Sequence, residues 1–404
     1  MPWKGVTVKE QRANFIRDYR LNYYSISELA RSFSISRKTA YKWFERYRRG
    51  GEEGLEEHSR RPKRCPWKTI DAVAQALIAL RRKHPRWGPR KLLNLLQRRH
   101  PGWQLPAIST AARILKQARL VESKGRGRRR AHPGCVKYRA EGPNDVWAAD
   151  YKGQFRLGNG QYCYPLTVSD LHTRYLLGCD AHPAISLERT QLFFTQLFRT
   201  NGLPNRIRTD NGTPFASSAV ARLSVLSAWF IKLGIYPELI EPGKPQQNGI
   251  HERMHSTLKR EATMPPSASL RSQQRRFDAF RVQFNEERPH EAIDMRRPAE
   301  LYQRSCREMP ERIESYDYPQ HYFVRRVSRA GTIRMCNKQF FLSSTLCQEY
   351  VGLEEVDTEV YDIFFCFYQI GRYNLQKNRV EDIVSRVEES RPRDLEAPRV
   401  LPMS

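Results

Sequence analysis

Asn144-Asp-Val-Trp147-Ala-Ala-Asp150-Tyr-Lys-Gly-Gln-Phe155 alternates apolar and polar residues like a strand entering a core, and it carries Asp150. Downstream, Cys163-Tyr-Pro-Leu-Thr-Val-Ser-Asp170 and Arg174-Tyr-Leu-Leu-Gly-Cys179 predict a hairpin around Leu171-His172-Thr173. A helix is expected from Ser186, with Leu192, Phe193, Leu197 and Phe198 inward. Arg206-Ile-Arg-Thr-Asp210-Asn-Gly-Thr-Pro-Phe215 predicts a short strand ending in Asp210, with a turn directly after it. A longer helix follows, with Val220, Leu223, Leu226 and Phe230 apolar. Pro242-Gly-Lys-Pro-Gln-Gln-Asn-Gly249 then leads into a helix over 250–259. Ile250, Met254 and Leu258 form its packing stripe, which turns Glu252 away from that stripe and sets Lys259 on Glu252's side. Asp170 and Asp180 are read as turn residues.

Upstream of this β-rich region the texture is different. The 404-residue chain has 70 Lys and Arg against 43 Asp and Glu, a net charge of +27. Residues 1–140 hold net +25 of it and the remaining 264 residues only +2. A basic first third on a near-neutral body reads as a polyanion-binding arm, with nucleic acid as the leading partner. Ser25 and Glu28 have capping-box spacing, Ser34-Ile35 makes a tight turn, and Ser36 caps a second helix. Ala40, Trp43, Phe44 and Tyr47 face inward on that helix. Arg37, Lys38 and Lys42 stay outward at its N-terminal end, as a recognition helix requires. Arg60, Arg61, Lys63 and Arg64 lie in a proline-containing linker suited to tracking phosphates. A second helical unit is expected, with a helix carrying Val73, Leu77 and Leu80, one carrying Leu92, Leu93, Leu95 and Leu96, and one capped by Ser109. Arg126, Arg128, Arg129 and Arg130 belong to a basic tether that contacts phosphates.

The order of motifs is what carries function. Trp147-Ala-Ala-Asp150, Thr209-Asp210-Asn-Gly-Thr-Pro-Phe215 and Pro242-Gly-Lys-Pro-Gln-Gln-Asn-Gly-Ile-His-Glu252-Arg-Met-His resemble the core of Asp-Asp-Glu transposases and retroviral-type integrases. Phe284-Asn-Glu-Glu-Arg288-Pro-His290 and Arg297-Pro-Ala-Glu-Leu-Tyr302 resemble segments that follow this core in bacterial insertion-sequence transposases. The resemblance implies a ribonuclease-H-like α/β catalytic core behind helix-turn-helix units, and a small C-terminal β-barrel. The implied activity is cleavage at the 3′ ends of a mobile element and strand transfer into target DNA. Asp150, Asp210 and Glu252 would be the catalytic and metal-holding residues, with Asp150 bridging two Mg²⁺ ions, for which Mn²⁺ substitutes. Two such ions roughly 3.5–4 Å apart activate the attacking oxygen and stabilise the leaving one, and hard cations take oxygen ligands. Forty-one residues separate Asp210 from Glu252, longer than is common in the family. Glu241 is the alternative, but Glu252 follows Gln-Asn-Gly on a helix, as the family motif places it. Asn211, Gly212, Lys244, Gln247, Asn248 and Lys259 are expected to contact DNA or position loops.

This gives a multidomain α/β chain: helix-turn-helix domain 1–59, linker 60–67, second helical domain 68–122, tether 123–140, catalytic core 141–305, small β-barrel 306–375 and flexible tail 376–404. The expected partners are double-stranded DNA and further copies of the chain, since two element ends must be joined. An accessory ATPase is a further candidate. A non-catalytic DNA-binding regulator and a nuclease without joining activity are the competing classes. No run approaches the ~20 apolar residues of a membrane span, and no secretory signal is read, so a cytoplasmic protein held on bacterial nucleoid DNA is expected. Eight cysteines without a Cys-x-x-Cys pair exclude a zinc or disulfide scaffold and are expected to be buried thiols.

Overall fold

The computed structural model describes residues 7–57, 69–121, 138–241 and 245–382. The expected linker and tether contacts at Arg60, Arg61, Lys63, Arg64, Arg126, Arg128, Arg129 and Arg130, with Lys244, lie outside the described residues. The chain divides into two units, 1–69 and 70–404.

The first unit is three helices, α1 (Val8–Arg20), α2 (Ile26–Ser32) and α3 (Arg37–Gly50), closed by a 3-10 turn over Gly51–Leu55. Ser25 and Glu28 form the expected capping box, and Ser36 caps α3 by accepting from the Thr39 amide. Phe15, Leu29, Ala30, Ala40, Trp43 and Leu55 make its core. The Arg12 guanidinium lies 3.6 Å above the Trp43 ring and donates to the Leu55 carbonyl, tying the closing turn to α1. A Cβ on Gly54 would stand 2.2 Å from the Arg46 carbonyl oxygen. Gly54→Ala should therefore destabilise this unit by about 1–3 kcal/mol through overpacking. Amide exchange within α1–α3 reads it, and unchanged protection would contradict the packing argument.

The second unit begins with α4 (Asp71–Lys83), α5 (Pro89–Arg99) and α6 (Ile108–Gln117), packed through Leu77, Leu80, Trp87, Leu92, Leu96 and Leu115. Ser109 is not a cap: it lies inside α6, which starts at Ile108 behind Ala107, and Ala107 makes no side-chain bond.

A six-stranded sheet follows. Its elements are β1 (Val146–Tyr151), β2 (Phe155–Arg156), β3 (Tyr162–Asp170), β4 (Leu176–His182), α7 (Leu187–Asn201), β5 (Arg206–Thr209), α8 (Val225–Lys232), β6 (Tyr236–Leu239), α9 (Gly249–Ala262) and α10 (Leu270–Val282). The strand order is β2-β3-β1-β5-β6, with β4 added along β3. β1, β3 and β4 are antiparallel neighbours, whereas β1, β5 and β6 run parallel. This mixed sheet with helices on both faces is the ribonuclease-H-like arrangement. Trp147, Ala149, Val168 and Ile207 pack against α7 and α8 through Phe194, Phe198 and Phe230. Leu176, Cys179 and Ala181 pack against α9 and α10 through Met254, Leu258, Phe277 and Phe280.

Three local expectations need correction. Leu192 is 62% exposed, and Phe194 takes the inward place on α7. The single helix expected over 220–230 is instead a 3-10 turn (Val220–Arg222) followed by α8, because Ser224 caps a fresh helix by accepting from the Ser227 amide. Cys163, Cys179 and Cys366 are buried thiols, but Cys306 and Cys336 are exposed.

The C-terminal region comprises β7 (Phe323–Arg326), β8 (Thr332–Met335), β9 (Lys338–Phe341), β10 (Tyr350–Asp357), β11 (Val360–Phe365), β12 (Tyr368–Asn374) and β13 (Arg379–Asp382). Five strands in the order β13-β12-β11-β10-β7 form an open antiparallel sheet, and β8 and β9 a separate hairpin. Among the described residues, the strand pairing does not close a barrel. One core unites the two sheets with Leu223, Ala228 and Ile231 of the preceding region, so these strands pack directly on α8. β13 also occupies part of the expected tail, past residue 375.

Candidate active site

Strand parity sets the site. Trp147 and Ala149 face α7 and α8, so Asp150 points to the opposite face, the one α9 covers. On β5, Ile207 belongs to the first core, which leaves Arg208 and then Asp210 on the α9 side. The parallel register pairs Ala149 with Thr209, and its next step sets Asp150 beside Asp210. The Asp150 carboxyl is pushed up to about 7, first by burial and then by the Asp210 charge, with Glu252 adding to it and Lys152 opposing it. Burial also raises the Asp210 carboxyl, while the Gly212 amide, donating to Asp210 Oδ1 at 3.2 Å, works the other way. A Cβ on Gly212 would come within 3.0 Å of Asp210 Oδ2, so the loop presses closely on that carboxylate. Asn211 ties the loop to its neighbours: its amide donates to the Ile240 carbonyl at 2.8 Å, and its oxygen accepts from Arg222.

Helix α9 docks through residues that the sequence reading overlooked. His251 and His255 are buried one turn apart, together with Met254 and Leu258. The Thr167 hydroxyl contacts His251 Nε2 at 2.8 Å and His255 Nε2 at 2.6 Å, and Ser169 Oγ meets His251 Nδ1 at 2.7 Å. Thr167 is the register partner of Asp150 and donates to its carbonyl, so the helix is pinned beside the acidic pair. His255 Nδ1 lies 3.6 Å from Asp150 Oδ2. Burial drives His251 down to about 3 and His255 to about 2, which keeps both rings neutral. The signal for them was present as His residues at i and i+4 on the buried stripe. Ile250, assigned to that stripe, is 41% exposed. Glu252 and Lys259 are both exposed on α9.

Gln247 and Asn248 do not face outward as DNA-contacting residues would: both are buried. The Gln247 side chain accepts from the Glu241 amide and donates to the Glu241 carboxylate at 3.1 Å, so it shapes the approach to α9. The same pairing holds Glu241, the alternative to Glu252. Asp170 serves its hairpin turn, accepting from the Thr173 amide and hydroxyl and the Asn144 amide. Asp180 does not serve a turn. It lies within β4 and pairs with His182 at 2.9 Å. In the first unit, Arg37, Lys38 and Lys42 are all exposed along the start of α3.

Asp150 and Asp210 offer oxygen donors, and the nearby imidazoles are engaged by hydroxyls, so the donor set suits a hard divalent cation. Among the described residues, no three His, Cys, Asp or Glu side chains are gathered closely enough to hold one ion. Also among the described residues, no helix is long and apolar enough to cross a membrane.

Family models match in the order of these elements. A helix-turn-helix domain matches residues 11–63, a homeodomain-like domain 39–115, and an integrase core domain 140–245 and again 233–298. The chain is 30% identical over 250 residues to the insertion element IS476 uncharacterized 39.2 kDa protein of Xanthomonas euvesicatoria, covering 61% of this chain and 69% of that protein. It is 27% identical over 245 residues to transposase InsD for insertion element IS2 of Escherichia coli, covering 55% and 75%. Among solved structures, the HTLV-2 integrase catalytic core domain is 15% identical, with a TM-score of 0.33 over 41% of this chain and 100% of that one. So low a score leaves the fold to the strand order described above. With helix-turn-helix matches ahead of two integrase-core matches, the chain belongs to the integrase-core family of insertion-element transposases.

Proposed function

We propose that this chain binds the terminal inverted repeats of a mobile element, cleaves at their 3′ ends and transfers them into target DNA. The observation carrying this reading is the acidic pair. Asp210 follows directly on β5, whose parallel register with β1 sets it beside Asp150, and the charges of Asp210 and Glu252 both raise the Asp150 carboxyl. A binding protein gains nothing from concentrating negative charge on a face that would meet DNA. Asp150, Asp210 and Glu252 would hold the two magnesium ions, which supply Lewis-acid activation of the attacking and leaving oxygens. The chain's own residues position this centre. His251 and His255 lock α9 to β3, Asn211 fixes the loop after Asp210, and Gln247 sets the entry to α9. Arg37, Lys38 and Lys42 on α3 would engage the DNA end. Joining two ends calls for a homo-oligomer.

The test is a strand-transfer assay with a labelled element end, a supercoiled target plasmid and Mg²⁺, comparing wild type with Asp210→Ala. Joined product from wild type alone is expected. Cleavage without joining would favour a nuclease, and tight end-binding with neither reaction would favour a regulator.

A further inference from the structure

On the side of α9 away from His251 and His255 lies a cavity of about 260 Å³, whose wall carries Lys91 of α5, Arg174, Arg253 of α9 and Arg288. Ile250, Arg253, Met254 and Thr257 form the α9 face that lines it, whereas His251 and His255 face the sheet. Two carboxylates share the wall, Asp170 and Glu291. Asp170 is engaged by Thr173 and Asn144, and Arg288 pairs with Glu261 at 2.7 Å. Arg174 differs from the other cations. Its Nε and Nη1 are buried and have no hydrogen-bond partner among the described residues. Buried donors of this kind are costly unless something accepts from them, and nearly all in folded proteins find an acceptor. Burial and then the Arg288 charge push the Lys91 ammonium down to about 8, against the charges of Glu291 and Glu261. The wall carries four cations against two carboxylates, an excess that suits an anion, and a tetrahedral phosphate presents acceptor oxygens in several directions.

We propose that this cavity is a phosphate site, separate from the acidic centre, that takes one backbone phosphate of bound duplex DNA. The inference rests on the DNA-binding reading above. The position argues for that occupant. Lys91 comes from the second helical unit, and Arg253 is the residue after Glu252, so one phosphate seated between them ties DNA held by the helical unit to the helix that carries Glu252.

The experiment uses the full chain and two variants, Arg174→Met and Arg253→Met. Fluorescence anisotropy of a duplex element end over a salt titration is read beside thermal melting in inorganic phosphate or chloride at matched ionic strength. Phosphate is expected to raise the wild-type Tm and to leave both variants unmoved. DNA affinity should fall about tenfold in each variant, and the slope of log affinity against log salt by about one, as for one lost phosphate contact. In phosphate-free buffer Arg174→Met should melt no lower than wild type, because it removes unmatched donors, which a merely structural arginine would not allow. Arg253 is exposed, so its variant keeps the test open if Arg174→Met fails to fold. Equal phosphate protection of all three proteins, with DNA affinity and slope unchanged in Arg253→Met and wild type binding well, would overturn the site. Phosphate protection lost in the variants with DNA binding intact would assign the cavity to a free phosphate anion instead. Failure of the wild type to bind DNA would sink the earlier reading.

Discussion

Asp150→Asn is expected to abolish strand transfer, by roughly 10³-fold or more, and yet to make the metal-free protein more stable. The activity loss follows from removing an oxygen donor and its charge from the centre where charge develops on phosphorus. The stability gain follows from the cost of ionising this carboxyl. Burial, Asp210 and Glu252 raise it to about 7 from an ordinary value of 3.8. A carboxyl raised in the folded state holds its proton more tightly there than in the unfolded chain, so stability falls as pH climbs from about 4 to about 7. Above that the penalty is complete. In EDTA at pH 8, Asp150→Asn should gain about 1–3 kcal/mol over wild type, and most of the gain should vanish at pH 5. Adding Mg²⁺ at pH 8 should raise the wild-type Tm and leave the variant unmoved. Denaturant midpoints with and without EDTA measure this. A variant less stable than wild type at pH 8 would mean the carboxylate is satisfied in the fold, contrary to the crowding described.

Arg208→Met should cost about 3–5 kcal/mol, the largest stability effect expected of a single substitution here. Arg208 on β5 and Glu238 on β6 are register partners in the parallel pair, with side chains 3% and 4% exposed and 3.1 Å apart. The same guanidinium donates to the Tyr138 and Gln247 carbonyls at 2.6 and 3.3 Å, so it ties the sheet to the segment entering α9. Methionine fills the volume but strands the Glu238 carboxylate without a cation. Adding Glu238→Gln to Arg208→Met should recover more than half of the loss, because a buried neutral amide costs far less than a buried charge. Urea unfolding with an unchanged slope is the measurement. A loss below about 1 kcal/mol, or no recovery in the double variant, would show that water reaches the pair.

The strands, the helix-turn-helix and the two aspartates were legible because each is a local matter. The apolar run Val146-Trp-Ala-Ala149, buried on both faces of the sheet rather than alternating, and the Ser25–Glu28 and Ser36 caps need no distant partner to be read. The break at Ser224 was legible in principle, but the apolar spacing on both sides masked the cap. Leu192 misled because helical spacing defines a stripe without saying which neighbour reaches which part of it. The open C-terminal sheet escaped for a related reason. Short strands and turns look alike whether their edges meet or not, and packing on α8 is a contact across more than a hundred residues.

The sequence by itself determined that a basic helical arm precedes a core with one aspartate on a strand, a second directly after a strand and a glutamate on a helix, since charge distribution, caps and apolar runs are encoded by neighbours in the chain. Only the tertiary structure decided that Asp150 and Asp210 share one face, that Thr167 and Ser169 hold α9 there through His251 and His255, and that Gln247 turns inward to Glu241. Buried polar groups take whatever partner the fold brings within hydrogen-bond reach, and that choice is made between segments far apart in the chain.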